Sequence, residues 1–206
     1  MSRQEIRNQY REAVSSLNEG IHKSNQTVID PKVSLQLLKD GNKRYVTNQT
    51  IQRGANEADR NILAIGQKPF AVILTCSDSR VSPEIFFDQK SGDIFVIRNA
   101  GGIADTTALG SIEYAVEHLK VPLVCVVGHS KCGAVTAAFH GGGHSIHLQT
   151  ILETIRSGIV RSESADDAIY ENISSVIEKI MRNIVIKENQ TAAVGAYYDI
   201  ETGIVS

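Results

Sequence analysis

The 206-residue sequence contains no tryptophan, two methionines and three cysteines, and aromatic residues make up 5% of it. Because three cysteines are too few for a framework of paired disulfides, the chain does not fit the class of small disulfide-rich secreted domains. No stretch approaches the ~18 consecutive apolar residues that a membrane-spanning helix needs. Lysines and arginines number 21 against 23 aspartates and glutamates, and this net charge of -2 excludes a general attraction to nucleic acid or an anionic membrane.

Residues 1–12 also lack the apolar core of a signal peptide, because charged residues occur throughout this segment. Together with cysteine and histidine at short spacing, which favours metal binding in a reducing compartment, this predicts a cytoplasmic protein. A narrow apolar stripe at helical spacing predicts a helical arm over residues 1–30 that packs on another surface. The stripe consists of Ile6, Tyr10, Val14, Leu17 and Ile21.

In the rest of the chain, apolar runs of strand length alternate with helical patterns. Runs that are apolar throughout suit parallel strands that are covered on both faces of a sheet. They occupy residues 70–75, 94–97 and 121–127, with helical patterns at 83–89 and 106–120 between them. Strands that alternate with helices predict an α/β fold with a mostly parallel central sheet flanked by helices.

The C-terminal part of the chain continues this pattern. Residues 148–160 and 168–185 are predicted to form amphipathic helices. A fourth parallel strand follows at 192–200, and after a turn residues 204–206 begin a C-terminal edge strand. With 42% hydrophobic residues the composition suits one sizeable core, so we expect a single domain in which the arm precedes an α/β core over residues 34–206.

Residues of metal-binding type follow the first and third predicted strands. The first strand runs into Cys76-Ser-Asp-Ser-Arg80, and the third ends in Gly128-His-Ser-Lys-Cys132. Ligands of open α/β sheets bind outside the carboxyl ends of the strands, where Cys76, His129 and Cys132 can meet if the two strands are neighbours. Two thiolates and one imidazole suit Zn²⁺, and three protein ligands leave the open fourth position that is typical of a catalytic site.

Asp78 and Arg80 lie beside this predicted site. An aspartate and an arginine two residues apart are usually a solvated surface pair of little energetic consequence. Next to a metal, however, Arg80 would lower the pKa of Asp78, so that an ionised carboxylate accepts a hydrogen bond from metal-bound water. Alternatively, Asp78 can move onto the metal as a fourth ligand and close the site.

Further motifs occur in a fixed order along the chain. Arg-Asn-Ala-Gly at 98–101 and Gly-Ser-Ile-Glu-Tyr-Ala-Val at 110–116 lie between Cys-Ser-Asp-Ser-Arg-Val, which begins at Cys76, and Gly-His-Ser-Lys-Cys-Gly-Ala, which begins at Gly128. This order resembles that of the β-class carbonic anhydrases over residues 34–206. The resemblance implies reversible hydration of carbon dioxide to bicarbonate and a proton by a zinc-bound hydroxide. It also implies zinc held by Cys76, His129 and Cys132, with Asp78 and Arg80 as a catalytic dyad.

The resemblance also implies a subtype and a substrate pocket. Gln67, nine residues before Cys76, falls on a glutamine of the plant-type members, whereas the bicarbonate-inhibited bacterial subtype carries a tryptophan, which this chain lacks. The resemblance therefore assigns four residues to the substrate pocket: Gln67, Phe95, Tyr114 and Gly102. Many members of the family have a different residue at the position of Gly102. Tyr114 can equally be a residue that only packs against its neighbours. The unit is expected to be a homodimer or homotetramer in which Gln67 and Phe95 reach the neighbour's metal.

Two alternatives remain open from the sequence. The same zinc and pocket can hydrolyse carbonyl sulfide or carbon disulfide, or the chain can be a non-catalytic module that binds zinc or bicarbonate. Other candidate residues are interpreted more simply. Arg98 and Asn99 are expected to hold loop backbone near the site, and Cys125 is read as a small buried hydrophobic residue. Three histidines near the triple glycine are interpreted as surface residues of a loop, with a role in proton relay as the alternative: His140, His144 and His147.

Overall fold

A computed structural model describes residues 30–51, 56–142 and 145–206 of the chain. The helical arm predicted for residues 1–30 lies, apart from Asp30, outside the described residues. In chain order the described elements are α1 (Pro31–Val46), α2 (Glu57–Leu63), β1 (Ala71–Cys76), α3 (Pro83–Phe86), β2 (Ile94–Asn99), a 3-10 turn (Ala100–Gly102), α4 (Thr106–Glu117), β3 (Leu123–His129), α5 (Gly133–His140), α6 (Ile146–Arg156), α7 (Ala165–Arg182), α8 (Ile184–Glu188) and β4 (Ala192–Tyr198).

The four strands form one parallel sheet in the order β2-β1-β3-β4, which confirms the predicted α/β fold. The C-terminal edge strand is reduced to an antiparallel bridge between Tyr198 and Val205, with two hydrogen bonds between Tyr197 and Ser206 beside it. Because all four strands run in the same direction, their carboxyl ends lie at one edge of the sheet. In register, Cys76 pairs with Asn99 at that edge.

Both faces of the sheet are covered, which explains why β1 and β3 are apolar throughout. Alternate residues of a strand point to opposite faces. On one face Val72 and Val124 join the larger apolar cluster, which includes residues of α4, α5, α6 and α7. On the other face Ile73 and Val127 pack with Leu38 of α1. Strand β1 lies between β2 and β3, and its residues 71–75 have no exposed surface.

Helix boundaries differ from the sequence predictions where a polar residue caps the backbone. The single helix expected over 168–185 is interrupted at Asn183, which has ψ 133 and whose side chain accepts a hydrogen bond from the Val185 amide. This residue ends α7 and begins α8. Helix α2 is absent from the sequence predictions, although Asn56 and Asp59 form the capping box that begins it. Across the part of the chain that the structure describes, no helix has the length and apolarity needed to cross a bilayer.

Asn42 of α1 joins three distant parts of the chain. Its side chain is buried, and its amide nitrogen donates to Phe86 O at 3.0 Å and to Gly203 O at 2.8 Å. Its amide oxygen accepts from Val205 N at 3.0 Å. One side chain therefore ties α1 to the end of α3 and to the C-terminal turn that follows β4.

Replacement of Asn42 by alanine should lower the free energy of unfolding by about 2–4 kcal/mol, because it leaves buried backbone groups without partners. Urea unfolding followed by circular dichroism measures the change. The matched control on the same helix is Gln36→Ala, whose amide bonds Asp40 at an exposed position. This control should change stability by less than about 0.5 kcal/mol. Equal unfolding midpoints for the two variants would contradict the role given to Asn42.

Candidate metal centre

Three side chains meet at the carboxyl edge of the sheet. Cys76 ends β1, His129 ends β3, and Cys132 is the residue before the first turn of α5. One ligand atom from each lies within 4.8 Å of the others, and all three residues are buried. The two sulfur atoms are 4.0 Å apart. The parallel pairing of β1 with β3 thus brings the predicted ligands to one point.

The imidazole of His129 has one nitrogen engaged and one free. Its Nδ1 lies 2.9 Å from the carbonyl oxygen of Ser130. Since a carbonyl can only accept, Nδ1 carries the hydrogen and Nε2 presents a lone pair. Nε2 is buried and has no hydrogen-bond partner. A buried polar atom without a partner costs stability, and a metal ion bound at this lone pair would remove that cost.

The two thiols shift each other's pKa in opposite directions. The Cys132 thiol donates toward Cys76 Sγ, which lowers the pKa of Cys76 against the opposing effect of burial. The same contact, together with burial, raises the pKa of Cys132. Two sulfur atoms at this distance cannot both be ionised in a buried site unless a cation compensates them. The donor set of two thiolates and an imidazole lone pair therefore fits a borderline-soft divalent cation.

Asp78 and Arg80 form a bidentate pair next to this group. Arg80 Nε donates to Asp78 Oδ1 at 2.9 Å, and Arg80 Nη2 donates to Oδ2 at 2.7 Å. The Arg80 backbone amide also donates to Oδ1, at 3.0 Å. These hydrogen bonds hold the pKa of the Asp78 carboxyl well below its usual range. Three N–H donors of Arg80 thus fix the orientation of the Asp78 carboxylate.

Arg98, at the end of β2, holds the loop that carries Asp78. Its Nε donates to Cys76 O at 3.2 Å and its Nη2 donates to Asp78 O at 2.8 Å. Ser77 N donates to Asn99 O at 3.0 Å. The expectation that Arg98 and Asn99 hold loop backbone is confirmed. The backbone between the first ligand and the carboxylate is fixed from the neighbouring strand.

Two residues assigned to the substrate pocket lie far from this group within one chain. Phe95 pairs with Val72, whereas Asn99, four residues later, pairs with Cys76. At ~3.3 Å per residue, Phe95 is therefore about 13 Å from Cys76 along the strand. The ring of Tyr114 lies 6.3 Å from that of Phe95 and is 48% exposed. Both rings lie toward the opposite end of the sheet.

The other two pocket residues are divided between the two ends of the sheet. Gln67 is exposed in the segment before β1, at the amino end of that strand. Gly102 is buried with φ 61, and a Cβ there would lie 3.2 Å from the carbonyl carbon of Thr75. Gly102 thus borders the carboxyl end of β1. A role for Gln67, Phe95 and Tyr114 at a metal therefore requires a second copy of the chain.

Residues set aside from the sequence occupy unremarkable positions. Cys125 is buried in β3, and burial raises the pKa of its thiol to about 12. His140 and His147 are exposed, but they lie in helices and not in the expected loop: His140 is the last residue of α5, and His147 lies in the first turn of α6. His144 lies outside the described residues. Among the residues that the structure describes, the group formed by Cys76, His129 and Cys132 is the one cluster with the spacing of metal ligands.

Two residues beside this group, Gly101 and Asn172, received no role from the sequence. The backbone amide of Gly101 donates to Cys76 Sγ at 3.4 Å. Asn172 of α7 in turn donates to the carbonyl oxygen of Gly101 at 2.9 Å. The sequence signal for Asn172 is a lone polar residue on the apolar side of an amphipathic helix, which does not reveal its partner.

Comparison with known proteins gives the family. The carbonic anhydrase family model matches residues 71–205. A carbonic anhydrase of Mycolicibacterium smegmatis is 37% identical over 190 residues, which cover 85% of this chain and 92% of the relative. The chain belongs to the β-class carbonic anhydrase family. This assignment covers the segment from β1 to Val205, which includes all three candidate ligands.

Solved structures of β-carbonic anhydrases share the fold. The Coccomyxa β-carbonic anhydrase in complex with acetazolamide superposes with a TM-score of 0.64 at 26% identity, over 71% of this chain and 74% of that one. A tetrameric β-carbonic anhydrase of Sordaria macrospora gives a TM-score of 0.65 at 25% identity, over 97% and 96% of the two chains. The order of strands and helices described above is therefore that of the β-carbonic anhydrase family.

Replacement of Cys132 by alanine should abolish metal retention, because it removes one of the buried sulfur ligands. After dialysis, elemental analysis should find about one metal ion per wild-type chain and less than about a tenth of that in Cys132→Ala. The matched control is Cys125→Ala, which removes a buried thiol outside the group and should retain the metal. Equal metal content in both variants would contradict the assignment of the site.

Proposed function

We propose that this chain is a carbonate dehydratase that uses zinc to hydrate carbon dioxide reversibly to bicarbonate and a proton. The observation that carries the proposal is the buried group of two cysteine sulfurs and an unpartnered histidine nitrogen. An aspartate fixed by an arginine lies beside it. Membership of the carbonic anhydrase family supports the same reaction for this chain.

Zinc is assigned to Cys76, His129 and Cys132 because thiolate and imidazole ligands suit it and three protein ligands leave a fourth position open. When bound, zinc would act as a Lewis acid that lowers the pKa of a water molecule from ~15.7 toward neutrality. The thiolates of Cys76 and Cys132 bring two negative charges, which compensate the charge of a divalent cation in the buried site. His129 contributes a neutral ligand whose orientation is set by its bond to Ser130 O.

In this proposal Asp78 faces the water molecule that reacts. Its ionised carboxylate accepts a hydrogen bond from that water and so directs a lone pair of the water oxygen toward carbon dioxide. Arg80 keeps the carboxylate charged and fixes its orientation through two N–H···O bonds. Release of the carboxylate by Arg80 would free Asp78 to bind the metal as a fourth ligand, which we propose as a closed state of the same site.

The substrate pocket is proposed to form between two copies of the chain. Carbon dioxide carries no charge, so an apolar wall such as Phe95 suits it, and the amide of Gln67 can donate to an oxygen of bicarbonate. Because Gln67, Phe95 and Tyr114 lie away from the metal group of their own chain, we place them at the metal of a neighbouring subunit, with Gly102 supplied in cis. A plant-type homodimer or homotetramer is the expected assembly, built from one domain per chain in the cytoplasm.

The variant Asp78→Asn keeps the shape of the side chain and removes its charge. Carbon dioxide hydration, measured by stopped flow with a pH indicator, should fall by about 100-fold or more because the hydrogen-bond acceptor is lost. Metal content should stay at the wild-type level. The control Asp40→Asn lies on the exposed side of α1 and should retain wild-type activity.

Other outcomes of the same assay would favour the alternatives. No hydration by a wild-type sample with full metal content would indicate a module that binds zinc or bicarbonate without catalysis. Sulfide release from carbon disulfide or carbonyl sulfide that exceeds carbon dioxide hydration on one preparation would indicate a sulfide-producing hydrolase. Unchanged hydration by Asp78→Asn would remove Asp78 from the mechanism.

Mixing two impaired variants tests whether Gln67 acts across the subunit interface. Gln67→Ala should lose about 10-fold or more of the activity through loss of one hydrogen-bond donor. If Gln67 acts in trans, unfolding and refolding it together with Asp78→Asn should restore about a quarter of wild-type activity, because each mixed dimer contains one intact site. If Gln67 acts in cis, every site carries a lesion and the activity does not rise above the mean of the two separate variants. The control mixes Asp78→Asn with Arg80→Gln, which should not complement.

A further inference from the structure

Asn172 is a polar residue in the apolar face of α7. It is 6% exposed and lies in a helix whose other buried residues include Ile169, Ile173 and Val176. An amide buried among apolar side chains costs stability unless it is hydrogen-bonded. Its Nδ2 donates to the carbonyl oxygen of Gly101, 71 residues away, at 2.9 Å. The one hydrogen bond described for this buried side chain therefore leads to the turn beside the metal centre.

Gly101 connects Asn172 to a metal ligand. Its carbonyl oxygen accepts from Asn172, and its amide donates to Cys76 Sγ at 3.4 Å. The residue has φ 80, and a Cβ would lie 2.6 Å from Ile155 Cδ1, so both backbone conformation and space require glycine. Because glycine permits a wide range of φ and ψ, hydrogen bonds from neighbouring residues are needed to fix the backbone at Gly101.

The turn around Gly101 is closed on its other side by Asn99. The Asn99 side chain accepts from Ile103 N at 2.8 Å and donates to Ile103 O at 2.8 Å. These bonds fix the two ends of the turn relative to each other. The middle of the turn, where Gly101 lies, is held by Asn172 from a separate element. Asn172 thus restrains the part of the turn that faces the sulfur.

We infer that Asn172 is a positioning residue of the metal centre, which anchors Gly101 so that its amide donates to the Cys76 thiolate. An N–H···S bond draws electron density away from a thiolate and reduces the charge that the sulfur donates to its metal. Asn172 therefore adjusts the electronic properties of the bound metal without touching it. The inference rests on the proposed metal site but not on the identity of the substrate.

The experiment replaces Asn172 by leucine, which keeps the bulk of the side chain and removes the donor. Wild-type and variant proteins are loaded with Co²⁺, and the sulfur-to-cobalt charge-transfer absorption is recorded. Loss of the N–H···S bond raises the energy of the sulfur electrons, so the band should move to longer wavelength. Competition with a chelator for Zn²⁺ should show metal affinity lower by about 10–100-fold, as for other residues that orient metal ligands.

The matched control is Val176→Ala, which removes buried bulk from the same helix and leaves the Gly101 contact intact. Its cobalt spectrum and zinc affinity should equal those of the wild type. If Asn172 only supported the fold, Asn172→Leu and Val176→Ala would have the same cobalt spectrum and the same zinc affinity. If Asn172→Leu does not fold, Asn172→Val serves in its place, with circular dichroism as the check. A band position and zinc affinity equal to those of Val176→Ala would overturn the inference.

The outcomes also separate this inference from the proposed function. A wild-type protein that shows the cobalt–thiolate band but does not hydrate carbon dioxide would refute the function and leave the role of Asn172 to be decided by the spectra. An active wild type with an unshifted band in Asn172→Leu would refute only the role of Asn172. A wild type without any thiolate band would refute both.

Discussion

The parallel pairing of β1 with β3 is the constraint on which the site depends. The pairing keeps Thr75 opposite Val127, and it is reinforced by the Thr75 hydroxyl, which donates to Val127 O at 2.7 Å. Both strands are buried on both faces, so a shift of one residue would exchange the side chains that a strand packs into the two apolar clusters. The register that satisfies the core is therefore the register that brings Cys76 and His129 together.

The centre combines groups that are costly to bury with neighbours that fix them. His129 presents an unpartnered nitrogen, and Cys76 and Cys132 place two sulfur atoms in contact. Around them the backbone is restrained by side chains from separate elements, with Arg98 on one side and Asn172 on the other. These contacts restrain the backbone on both sides of Cys76, so the position of its sulfur is fixed by neighbouring elements.

Much of the fold and the ligand group could be predicted, because both depend on local signals. Apolar runs identify β1 and β3, and cysteine and histidine directly follow or end those runs. The contact of Asn172 could not be predicted, since it depends on how α7 packs across the turn at Gly101. The break at Asn183 was also missed, because an asparagine within an amphipathic pattern can either continue a helix or cap the next one.

The hydrogen bonds of Asn42 have a consequence for the order in which the chain folds. Two of them, to Gly203 and Val205, connect residues that are 161 and 163 positions apart in the sequence. On a translating ribosome, α1 emerges early, but its partners at Gly203 and Val205 are made only after every strand of the sheet has been synthesised. The hydrogen bonds of Asn42 to the C-terminal turn therefore form only after the whole sheet has been synthesised, although α1 can contact Phe86 and β1 earlier.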